Sequence, residues 1–182
     1  MNIFFLSLNP KQAAEYQIDR HVVKMITETS QILSNCYTLE QLKHAPQTIN
    51  GYRSHSYPYH PCCLWVKESI SNFKWLVDHG IYLFEEKKNR FGGYHQSVRF
   101  IRWCLHNQPE LPSVEMTTPA LAFNNYPEFQ NYNDPVGSYI NYYKVDKRYD
   151  KSGKWMAYYT NRSVPEFWGE YYDEVKQHNE YK

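Results

Sequence analysis

The feature that most restricts this chain is one long amphipathic stretch, from about Cys62 to Arg90. Its apolar positions Trp65, Val66, Ile70, Phe73, Leu76, Val77 and Phe84 fall on one stripe at the helical period. Gly92-Gly93 closes it, as helix ends commonly do. A helix of that length needs neighbours along its whole stripe, and the rest of the sequence supplies them. Asn9-Pro10 reads as a cap with proline in the first turn, opening a short helix to Tyr16. Asp19 reads as the cap of a second helix to about Asn35, with Val22, Met25, Ile26, Ile32, Leu33 and Cys36 on one face. His95–His106 reads as a further helix. Asp134-Pro135 opens another, through about Lys147. Ser163-Val164-Pro165-Glu166 reads as a capping box opening a last helix from Val164 to about His178. Ile3–Leu8 reads as a short strand or a buried extended segment. The expectation is an all-α fold: a single helical domain over residues 1–182, with five to seven helices and two long loops, Tyr37–Pro61 and Pro109–Pro135.

Length and composition agree with this. A chain of 182 residues buries roughly 70% of its unfolded surface and needs no staple. Aromatic residues make up 18%, which excludes a disordered chain. No stretch approaches the roughly 20 apolar residues that a bilayer requires, and Met1–Leu8 lacks the cationic start of a signal peptide. Four cysteines, Cys36, Cys62, Cys63 and Cys104, show no CxxC spacing. They read as reduced thiols in a cytoplasmic setting, the host cytoplasm if the gene is viral.

Three groups of residues carry chemistry. On the second helix His21, Lys24 and Glu28 stand at i, i+3 and i+7, at about 0°, −60° and −20° around the axis. The apolar face runs from about 20° to 140°, so His21 and Glu28 border it. A carboxylate beside an ammonium and an imidazole suits proton transfer; the same spacing also makes a surface Lys24–Glu28 pair with a boundary histidine. The loop Tyr52–Cys62 holds Arg53, His55, Tyr57, Tyr59 and His60, which suit an anion and a flat ring, or a loop pinned by its aromatics. A metal set of His55, His60 and Cys62 or Cys63 fits no known structural zinc spacing. No metal or cofactor is expected. Finally, Lys144, Lys147, Arg148, Lys151, Lys154 and Arg162 interleave with Tyr149, Trp155, Tyr158 and Tyr159. Such a run suits nucleic acid, or is a solvated basic face. The net charge of +1 names no partner. Walker, GxGxxG, GxSxG and HExxH motifs are absent, which argues against a nucleotide motor, a dinucleotide enzyme, an α/β-hydrolase and a zincin.

Several segments together resemble a family of small proteins common in bacteriophages and large DNA viruses. They are Met1-Asn2-Ile3-Phe4; Asp19-Arg20-His21-Val22-Val23-Lys24-Met25 with Glu28, Gln31 and Leu33-Ser34; and His60-Pro61-Cys62 with Trp65, Glu68-Ser69, Asn72 and Trp75-Leu76. Thr118-Pro119-Ala120, and Asp134-Pro135-Val136 with Tyr139 and Tyr142-Tyr143, extend the likeness over most of the chain. The order of elements is also similar, more faintly, to the phage pyrimidine-dimer DNA glycosylase. That resemblance implies base flipping, attack on C1′ by the chain's α-amine, and Glu28 in the acid role. The glycosylase exposes a small second residue after methionine removal; Asn2 is larger, so the amine here would be that of Met1.

These readings converge on a viral protein acting on nucleic acid or nucleotides by base excision or base modification. His21, Lys24 and Glu28 would be catalytic. Arg53, His55, Tyr57, His60 and Asn72 would hold substrate, Asn72 by donating to a base edge. The alternative is a non-enzymatic, phage-encoded binder that sequesters a nucleotide signal or inhibits a host defence factor.

Overall fold

In a computed structural model, which describes residues 1–47 and 55–180, the chain is all-α. Eight α-helices are present among the described residues: α1 Pro10–Glu15, α2 Asp19–Ser34, α3 Leu39–Leu42, α4 Pro61–Glu68, α5 Ile70–Phe91, α6 Val98–His106, α7 Pro135–Asp146 and α8 Tyr172–Glu180. α5 is the centre, packed by α1, α2, α4 and α6. α7 lies against 3-10 turns at Pro127–Phe129 and Glu166–Tyr171, and α8 packs on the second of these. No described helix is long and apolar enough to cross a membrane.

The caps explain most of the boundaries. Asn9 Oδ1 accepts from Lys11 N and Gln12 N, and Asp134 Oδ1 accepts from Gly137 N at 2.9 Å. Asp19 does not cap α2. Ile18 holds the cap position without a side-chain bond, and the Asp19 carboxylate turns inward to Arg90 and Thr160. The long amphipathic stretch is not one helix either. Ser69 is extended at φ −153° and ψ 156°, its hydroxyl accepts from Asn72 N, and Ile70 N donates to Pro112 O. The apolar stripe continues across this break, so periodicity does not reveal it.

The last helix also starts later than its sequence signal. Pro165 disfavours a helical Val164, and Gly169 takes φ 53°. A 3-10 turn therefore precedes α8, and no capping box forms. His95 lies in a turn ahead of α6, its Nδ1 accepting from Ser97 N. The first long loop contains the short α3, closed by a Thr38–Gln41 capping box.

Asn72 is a structural staple, which corrects its expected role at a base edge. It is fully buried. Its Nδ2 donates to Trp65 O and Thr117 Oγ1, both at 2.7 Å, and its Oδ1 accepts from Thr117 N at 2.9 Å. With its donors and acceptor spent, it pins the proline-rich loop to the α4–α5 break. The N-terminal segment is no strand. Ile3, Phe4, Phe5 and Leu6 are buried in an irregular segment between α2, α5 and the 120–123 stretch, turned where Leu6 N donates to Phe4 O, with no sheet partner among the described residues.

Candidate functional site

The N-terminal segment meets the cap-side half of α2, and the contact is polar. Glu28 is nearly buried. Its Oε2 accepts the Asn2 backbone N–H at 2.8 Å, and its Oε1 takes Lys24 Nζ at 3.0 Å. Asn2 is itself fixed. Its Oδ1 accepts from Ile3 N and Phe4 N, and its Nδ2 donates to Ala122 O. Those bonds hold Phe4 in the left-handed region at φ 42°, where a non-glycine residue costs on the order of 1 kcal/mol or more.

The Phe4 ring stacks on His21, with centroids 4.4 Å apart and planes at 13°. His21 is held from behind as well. Its Nδ1 lies 2.8 Å from Tyr143 Oη, and the same hydroxyl accepts from Ile18 N at 3.0 Å. Beside the Ile18 N–H that hydroxyl keeps both its proton and a second lone pair, so it pairs with His21 Nδ1 in either ring tautomer. Burial, then the charges of Lys147, Lys24 and Arg20, push the His21 pKa well below its ordinary value. His21 is thus a neutral ring with one nitrogen facing Tyr143.

Two adjoining clefts open beside this unit. The first, of about 720 Å³, is walled by Arg20, His21, Lys24, Tyr126 and the 145–152 stretch. The second, of about 420 Å³, is walled by His60, Phe123, Tyr126, Tyr142 and Lys147 among others. Tyr126, Asp146, Lys147 and Lys151 belong to both. Lys147 pairs with Asp146, which also accepts from Tyr126 Oη at 2.8 Å. Its ammonium stands over the rings of Tyr142, at 4.9 Å, and Phe4, at 5.6 Å. Burial alone would lower the Lys147 pKa; its bonds to Asp146 and Tyr142 outweigh that and raise it. Lys147 therefore stays an ammonium and is no nucleophile.

His60 joins the same neighbourhood from the cap of α4. Its Nδ1 accepts from Cys62 N. Burial first, and the adjacent Met1 amino group second, lower its pKa, while the Glu28 carboxylate pulls it up. Glu28 is thus paired with Lys24 of the first cleft, its charge reaches His60 of the second, and the residue whose N–H it binds, Asn2, follows Met1 in the chain. Cys62 sits beside His60 in sequence, but burial pushes its thiol up to about 12, so a thiolate mechanism is excluded at neutral pH.

The structure brings His21, Lys24, His60, Lys147 and Lys151 to the two clefts, and Glu28, paired with Lys24, lines neither. Other candidates lie elsewhere. His55 Nε2 donates to Tyr37 O at 2.7 Å, and Tyr57 is 73% exposed; neither lines a cleft. Arg53 lies outside the described residues. Lys144 pairs with Glu170, and Arg148 pairs with Glu174 and lies 3.7 Å over the Tyr171 ring. Acidic residues of the C-terminal elements thus neutralise two of the six cations of the basic run. Arg162 binds Glu86 and Glu15 at the α1–α5 contact, away from the clefts. Lys154 is exposed and lines neither cleft. Among the described residues no group of three or more His, Cys, Asp or Glu side chains is gathered to hold a metal.

Sequence reasoning missed Asn2, Phe4, Arg20, Tyr126, Tyr142 and Asp146. Asn2, Phe4, Arg20 and Tyr142 stood within the motif segments, which was the one signal for them, and Tyr126 and Asp146 had none. No family model, curated protein or solved structure matches this chain.

Proposed function

We propose that this protein acts on nucleic acid by base excision, with Glu28 moving the protons and an adjacent amine as nucleophile. The observation that carries the reading is the Glu28 carboxylate bonded to Lys24 and to the N–H of Asn2, the residue that follows the Met1 amino group, with His60 within range of its charge. An amine that displaces a base at C1′ loses a proton as its bond to carbon forms. The departing base gains one as its bond to C1′ breaks. A single buried carboxylate serves both transfers. Phe123, Tyr126 and Tyr142 supply aromatic faces for a flipped base, and Lys151 and Arg20 supply charge for the backbone. The strained Phe4 under His21 supports a site that the surrounding structure holds in place against a backbone cost.

Borohydride trapping on oligodeoxynucleotides bearing an abasic site, uracil or a pyrimidine dimer tests this. The wild-type chain should give a covalent adduct, and Glu28→Gln should not. One added N-terminal residue abolishes the adduct if Met1 is the amine; Lys24→Met does so if Lys24 is. No adduct and no incision on any of these substrates overturns the reading and favours a nucleotide-sequestering binder.

A further inference from the structure

We propose that the first cleft is a phosphate subsite, in which the Arg20 guanidinium, the His21 Nε2–H and the Lys151 ammonium hold the oxygens of one phosphate group. This deepens the nucleic-acid reading of the same cleft. Two of the donors in the cleft are already spent. Lys24 is committed to Glu28 and Lys147 to Asp146. Asp150, the other carboxylate in the cleft wall, is held first by its own loop, with the Arg20 charge acting on it more weakly. Its Oδ1 accepts from Ser152 N, Ser152 Oγ and Lys154 N.

Three donors remain. Arg20 is exposed, and its side chain's one recorded hydrogen-bond partner among the described residues is the Met156 sulfur, at 3.3 Å, a weak acceptor. Lys151 is exposed at the tip of the 148–156 turn and has no ion pair among the described residues. His21 Nδ1 faces Tyr143 Oη at 2.8 Å, and we take that hydroxyl as the donor, which leaves the ring proton on Nε2. Four cations and two carboxylates wall this cleft, so it carries surplus positive charge. A fork, a neutral N–H and a point charge converging on one cleft match the tetrahedral oxygens of phosphate, where charge-assisted bonds are strongest. The neutral His21 adds a donor without adding the repulsion of a further cation.

The test follows the His21 ring by nitrogen-15 NMR. The probes are inorganic phosphate, a deoxynucleoside 5′-monophosphate and an oligodeoxynucleotide with a tetrahydrofuran abasic analogue; acetate at equal ionic strength is the control. The His21 signals should shift and saturate with the phosphate-bearing probes and not with acetate. Arg20→Gln with Lys151→Gln, both at exposed positions, should weaken binding at least tenfold. Saturation by all three probes identifies a site for a free phosphate. Saturation by the oligomer alone identifies a backbone phosphodiester. No shift with any probe, or a shift undiminished in the double variant, overturns the proposal. A phosphate response in a protein that never traps abasic DNA leaves the subsite standing and removes the excision reading. Trapping by a protein whose His21 is silent does the reverse.

Discussion

Glu28 Oε2 accepts the backbone N–H of Asn2 at 2.8 Å, joining the first residues of the chain to the middle of α2, 26 positions away. The bond makes Glu28 part of the N-terminal anchor as well as a carboxylate in the site. The two roles separate by substitution. Glu28→Gln keeps an oxygen for Asn2 N–H, so the melting temperature should stay within about 4 °C of wild type, equivalent to a loss of roughly 1 kcal/mol. Loss of the acid–base group should lower turnover on any substrate of this cleft by about 10²–10⁴-fold. Glu28→Ala leaves the buried N–H without a partner and should cost about 1–3 kcal/mol. Turnover by the Gln variant at the wild-type rate would remove Glu28 from the chemistry.

Arg90 is the centre of a buried ionic cluster. Its side chain is fully enclosed and binds Glu86 Oε1 at 2.7 Å, Asp19 Oδ1 at 3.1 Å, and the carbonyls of Gln17 and Glu15. Arg90→Met strands buried carboxylate charge and should cost about 3–5 kcal/mol in urea unfolding. Arg162→Met, at a partly exposed position on the same Glu86, should cost about 1 kcal/mol or less. Equal losses for the two would show that burial does not set the cost.

His79 makes the fold acid-sensitive. Its Nδ1 donates to Pro10 O and its Nε2 accepts from Gln17 Nε2. Burial pushes its pKa down to about 4, with the Pro10 bond pulling weakly upward. The folded value lies below the unfolded one, so the unfolded chain takes up the proton more readily. The stability contribution is fully present above pH 6.5 and is lost as the pH falls toward 4. The loss reaches on the order of 3 kcal/mol for one such group. Burial of His21 acts in the same direction. Urea midpoints should fall between pH 7 and pH 4.5, and less steeply in His79→Gln. A flat profile over that range would refute the account.

Gly80 is required by packing. A Cβ there would lie 2.7 Å from Thr29 Cγ2 and 3.0 Å from Ile101 Cδ1, where α2, α5 and α6 meet. Helix propensity alone favours Gly80→Ala by about 1 kcal/mol, while overpacking costs about 1–3 kcal/mol. Clash should win, lowering the melting temperature by about 2–4 °C. A raised melting temperature would mean that α6 moves aside freely.

The sequence by itself determined the helices, because their apolar stripes, proline-led starts and glycine ends are local signals. Asn9-Pro10, Asp134-Pro135 and the α2 stripe each depend on residues within a few positions of one another. It also put His21, Lys24 and Glu28 on one border of α2, since the helical period alone fixes that. What tertiary structure decided lies across long separations. Ser69 is a local N-cap for α5, but the apolar stripe runs on across it; Pro112 O, from a distant loop, takes the Ile70 N–H there. Asn72 sits on a helix where it could face a substrate, and only the docking of Thr117 consumes its donors. The basic run Lys144–Arg162 is a charged stripe in sequence, and the acidic residues that neutralise Lys144 and Arg148 arrive on the C-terminal elements. The site follows the same rule: α2 presents Glu28, but Asn2, His60 and Lys147 reach it from other parts of the chain. Periodicity orders side chains along one element, and only the packing of several elements brings their polar groups to one point.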